Sequence, residues 1–134
     1  MKKIIQILLI FIIYNNVNGQ PIESKNHYNT GFIKKDGTIQ NTNQRTVGYI
    51  KKAGMIEDNN HYTIGYLKDN GTVEDKNHYT IGYIKDDGTV EDKNHYTIGY
   101  IKNDGTVKDR NHYAIGYAKG VRKEWTAVKF FFFK

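Results

Sequence analysis

Glycine returns every 17 residues, at Gly31, Gly48, Gly65, Gly82, Gly99 and Gly116, and most of the chain keeps step with it. The segments Asn60–Lys76 and Asn77–Lys93 agree at 15 of 17 positions, so one structural unit is written repeatedly. A unit this short cannot bury its own apolar side chains, and its stability has to come from packing on its neighbours. The repeats run over residues 26–42, 43–59, 60–76, 77–93 and 94–110, and residues 111–134 depart from the pattern as a closing segment.

Within one unit, Tyr79, Ile81 and Tyr83 alternate with Thr80, Gly82 and Ile84, the period of two of a strand rich in aromatic and β-branched residues. Lys85-Asp86-Asp87-Gly88 then has the composition of a tight turn ending in a left-handed glycine, and Thr89-Val90 begins a returning strand. Each unit is therefore predicted to be a β-hairpin. Pairing Lys85 with Thr89 sets Ile84 opposite Val90 and Gly82 opposite Asp92. It puts Ile84 and Val90 on one face and Ile81 and Tyr83 on the other. The recurring glycine would let a backbone or an aromatic ring approach closely. A β-solenoid is the architectural alternative, but the single strong turn per unit favours hairpins over a coil with several corners.

Both ends of the chain differ from the repeats. Lys2 and Lys3 precede an apolar run, Ile4–Tyr14, and Val17-Asn18-Gly19 suits cleavage before Gln20, so residues 1–19 read as an export signal and 20–134 as one domain. The run is well short of the roughly 20 residues of a membrane-spanning helix, which predicts an exported, periplasmic or extracellular protein with no transmembrane span after cleavage. The absence of cysteine excludes a disulfide framework and lipid attachment at an N-terminal cysteine. At the other end, Thr126-Ala127-Val128-Lys129-Phe130-Phe131-Phe132-Phe133 follows a unit without a turn glycine. As an extended strand it would place two phenylalanines on each side, sealing the interior and covering an open edge. An exposed aromatic tail contacting a membrane or partner is the alternative.

Five turns of the form Gly82-Tyr83-Ile84-Lys85-Asp86-Asp87-Gly88-Thr89-Val90-Glu91, behind an export signal and before Ala-Val-Lys-Phe-Phe-Phe-Phe, resemble the secreted bacterial 5-fold β-flower proteins. The resemblance implies an all-β fold of five hairpin petals around a pseudo-fivefold axis and carries no established activity. Asn43-Gln44-Arg45, in place of Asn-His-Tyr, marks the second petal as divergent.

Chemistry-bearing residues recur with the same period. His27, His61, His78, His95 and His112 hold equivalent positions, and imidazoles gathered on an axis could hold a transition metal. Fivefold symmetry suits neither a tetrahedral nor an octahedral ion, so a structural role is expected and no cofactor is assigned. The Asp-Asp-Gly clusters lack the ligand order of a calcium loop and read as turns. Phe32, Tyr49, Tyr66, Tyr83, Tyr100 and Tyr117 form a series that could pack between petals or offer platforms to sugars or peptides. The lysines beside the turns are balanced by acidic residues, and no nucleic-acid stripe results. Removing Lys2 and Lys3 with the signal lowers the net charge from +6 to +4. Repeats supply equivalent groups, whereas catalysis needs differentiated ones in one constellation, so a non-enzyme is expected. The leading expectation is a structural or interaction module whose partner is a glycan, a peptide or another cell-envelope protein. The alternative is a metal or small-ligand binder.

Overall fold

The computed structural model describes residues 19–134; apart from Gly19, the expected export signal lies outside them. These residues form twelve antiparallel strands: β1 (Gln20–Ser24), β2 (Asn29–Ile33), β3 (Thr38–Gln40), β4 (Thr46–Ile50), β5 (Met55–Asp58), β6 (Thr63–Leu67), β7 (Thr72–Asp75), β8 (Thr80–Ile84), β9 (Thr89–Asp92), β10 (Thr97–Ile101), β11 (Thr106–Asp109) and β12 (Ala114–Tyr117). Each pairs with its sequence neighbours, and β12 pairs with β1, so the sheet closes into a barrel without a free edge. The five expected hairpins are β2–β3, β4–β5, β6–β7, β8–β9 and β10–β11. A sixth two-stranded unit is assembled from the chain ends, β12 and β1, which explains why residues 111–134 need no turn glycine. The antiparallel meander rules out the solenoid.

The expected register holds: Ile84 faces Val90 and Gly82 faces Asp92. Ile81 departs from it. The pairing of β7 with β8 slips between Val73 and Glu74, and the same slip recurs between every hairpin and the next. Such a bulge sets two neighbouring residues against one on the partner strand. Ile81 is thereby turned with Gly82 towards the core, against which Ile64, Ile98 and Ile115 also pack, instead of sharing the outer face with Tyr83.

Two turns per unit, not one, make the meander. At one end of the barrel Lys85 N–H donates to Thr89 C=O (2.8 Å) and Gly88 N–H to Lys85 C=O (3.0 Å). At the other end Asp92 N–H donates to Tyr96 C=O (2.9 Å) and His95 N–H to Asp92 C=O (3.0 Å). The geometry is the same, a turn closed by a left-handed residue, with glycine at one end (Gly88, φ 92°) and histidine at the other (His95, φ 66°). Tyr79, expected in a strand, lies in this second turn, and β8 begins at Thr80.

Carboxylates brace the glycine turns. Asp36, Asp87 and Asp104 each accept the backbone N–H two residues on, at 2.9 Å. That N–H first, then the threonine hydroxyl, with a neighbouring lysine, holds each carboxyl below its usual range. A carboxyl with a depressed folded pKa stabilises the fold above its unfolded value, about pH 4, and that stability disappears as pH falls through the folded value. Thermal unfolding should therefore shift to lower temperature between pH 6 and pH 3. The triple variant Asp36→Asn/Asp87→Asn/Asp104→Asn, which keeps the acceptor, should show a smaller shift; an equal shift would remove these carboxyls from the account.

The interior is filled by Ile and Val from the strands and by the C-terminal segment. After β12 the chain turns at the glycine-turn end and enters the barrel as the short helix α1 (Lys123–Ala127), continued by a wider π-helical turn over Val128–Phe132. The expected extended strand is therefore absent. β12 and β1 already satisfy each other's edge, and a segment threading a closed barrel has no strand partner left to bond, so it satisfies its own backbone as a helix. Phe133 N–H donates to Val128 C=O (2.8 Å), five residues back.

Candidate interaction face

The four phenylalanines splay outward, one to each successive unit. A Cβ added at Gly116, Gly99, Gly82 or Gly65 would overlap the rings of Phe130, Phe131, Phe132 and Phe133 respectively. An α-helix rotates about 100° per residue, whereas six units stand about 60° apart on a circle. The wider turn lowers the angular step per residue and so helps consecutive side chains address consecutive units. The glycines expected to admit an aromatic ring do so in these four units.

This places a partly exposed floor of Phe130–Phe133 with Ile64, Ile81, Ile98 and Ile115 towards the histidine-turn end. On its rim, one residue after each left-handed histidine, stand Tyr28, Tyr62, Tyr79, Tyr96 and Tyr113, each 70–73% exposed. Asp92 Oδ1 fixes one such turn by accepting from Asn94 N–H (2.9 Å) and Tyr96 N–H (3.0 Å), and Asp58, Asp75 and Asp109 repeat the pattern. The tyrosine rim is not legible from the sequence alone, where Asp92-Lys93-Asn94 reads as the polar end of one unit and Tyr79 as part of a strand. Asp92 and Asn94 are turn residues, and that was the available signal.

The five histidines do not converge. They sit on the outer wall in five of the six units, each stacked on the aromatic residue of the preceding unit: His27 on Tyr117, His61 on Tyr49, His78 on Tyr66, His95 on Tyr83 and His112 on Tyr100, at 4.0–4.3 Å between ring centres. In four units Nδ1 lies 2.9–3.1 Å from a carboxylate four residues back, Glu23, Glu57, Glu74 or Glu91. The axial ring required for the metal reading is not formed, and among the described residues no three potential ligand side chains lie together. Tyr49, Tyr66, Tyr83, Tyr100 and Tyr117 are half-buried beneath these imidazoles, neither wedged between petals nor open as platforms. Phe32 occupies the same register in the unit preceding the one where Gln44 replaces histidine.

The hairpin meander, the glycine turns and the aromatic closing segment define a repeat barrel closed by its own chain ends. Residues 19–134 match the family described as 5-fold beta-flower protein, and the chain belongs to that family. Comparison with curated proteins and with solved structures gives no match.

Proposed function

We propose that this is an exported, non-catalytic interaction module that binds a cell-envelope glycan through its histidine-turn end. The observation that carries the reading is the rim of five tyrosines, each 70–73% exposed, around an apolar floor. A tyrosine ring offers a flat apolar face to a sugar and a hydroxyl to its polar edge. Equivalent rings repeated around one end suit a ligand that is itself built of repeating units. Equivalence also speaks against catalysis, since each unit presents the same groups in the same surroundings. The strands are three to five residues long, against the roughly 9–11 of a membrane-crossing strand. A barrel working in the envelope's aqueous spaces fits that length.

Purified protein applied to glycan and peptide arrays should be retained by a restricted set of glycans. Tyr79→Ala/Tyr96→Ala/Tyr113→Ala should lower that retention about tenfold or more, in line with losing several stacking contacts. Blank glycan arrays would overturn the reading, and retention by peptides alone would replace its ligand class.

A further inference from the structure

We propose that the sector at the first and second repeats holds a binding pocket for a small aromatic ligand, an apolar ring laid against Gly48. The inference is independent of the tyrosine rim.

Four of the six sectors show what this architecture accepts: a phenyl ring pressed on the bare glycine of the strand. The phenylalanine run ends before it reaches Gly48. There a Cβ would meet only the Glu57 carbonyl oxygen, at 2.9 Å, and no ring. In that place lies a cavity of about 580 Å³ whose apolar lining includes Ile39, Val47, Ile56, Phe132 and Phe133. The volume is within the range of small-molecule sites, and an apolar cavity favours an apolar ring over water.

The sequence departs from its own repeat around this space. The bulge isoleucine of the later units becomes Thr30 and Val47, both shorter. The glutamate–histidine pair of the outer wall becomes Gln40 and Gln44, while Glu57, Asp58, Lys129 and Lys134 leave charges at the edge of the cavity. Gln40 Nε2 donates to Gln44 C=O (3.2 Å), and its Oε1 is shut off from the cavity. A mostly apolar wall and a bare glycine, in a fold that presses phenyl rings on four equivalent glycines, together describe a small apolar aromatic ring. Gly48 alone would not carry this, because the nearby carbonyl already gives the strand a reason to keep glycine there.

The test is titration of the purified protein with p-cresol and with toluene, followed by amide chemical shifts. Both should saturate a single site bordered by Val47, Ile56 and Phe133, toluene at least as tightly as p-cresol. Val47→Phe, at a position already partly exposed, should fill the space and abolish binding of both while leaving thermal unfolding cooperative. Tyr79→Ala/Tyr96→Ala should leave p-cresol binding unchanged, which separates this site from the rim. Failure of both probes to saturate, or binding that survives Val47→Phe, would overturn the proposal. So would saturation by a tyrosine-containing tripeptide where p-cresol has no effect, which would assign the pocket to a partner's side chain.

Discussion

Gly88→Ala should destabilise the protein by about 3 kcal/mol and lower its melting temperature by roughly 15 °C, whereas His95→Gly should change stability by less than about 1 kcal/mol. Both residues close the same kind of turn with positive φ, so backbone conformation alone predicts similar costs for any side chain. The surroundings separate them. A methyl at Gly88 would fall on the carbonyl oxygen of Ile101 in the next hairpin, and Ile101 N–H donates to Gly88 C=O at 2.8 Å. The glycine is thus a seam between units as well as a corner, and Ala would disturb both φ and the seam. His95 stands exposed, stacks on Tyr83 at 4.1 Å and lies 3.0 Å from Glu91. Replacing it by glycine relieves about 1–2 kcal/mol of left-handed strain. That change forfeits about 0.5–1.5 kcal/mol of stacking and adds backbone entropy to the unfolded chain. These terms nearly cancel. Chemical denaturation of the two variants checks the contrast, and equal losses would show that the turn, not the seam, sets the cost.

That contrast also marks what could be read from the sequence. The glycine turns, the pairing of Ile84 with Val90 and the hairpin unit were legible because period-two alternation and Asp-Asp-Gly act locally. The histidine turn was less so: a non-glycine residue at φ 66° is uncommon, and the stack on a tyrosine 12 positions earlier that accompanies it is a contact between units, not within one. Ile81 was placed on the wrong face because a bulge between units is a property of the pairing, not of either strand alone. The phenylalanine run reads equally as strand or helix by composition, and only barrel closure decides it. For the same reason the pocket is not legible, since it depends on which sectors the plug reaches, although the divergence at Asn43-Gln44-Arg45 marks the unit concerned.

Deleting residues 123–134 should abolish cooperative unfolding altogether. Trp125, Val128 and Phe130–Phe133 all belong to or pack on the core that the strands surround, and Thr126, Ala127 and Val128 are fully buried. At about 1.5–3 kcal/mol per fully buried large apolar side chain, and about half that for each partly exposed phenylalanine, the six contribute roughly 6–12 kcal/mol. The net stability of a domain is about 5–15 kcal/mol, so the loss is as large as the whole margin. Strand pairing cannot offset it: the ladder would survive only around a hollow lined by Ile33, Ile50, Val73, Val90 and Val107 exposed to water. The truncated protein should therefore bind a hydrophobic dye and melt without a sharp transition, while retaining some strand signal in circular dichroism. Phe131→Ala, which removes one ring from the plug and leaves a gap at Gly99, should cost about 2–3 kcal/mol with cooperativity intact, because the remaining rings still hold the helix in register with the other units. A sharp, dye-free transition in the truncated chain would mean that closure of β1 on β12, and not the plug, holds the barrel together.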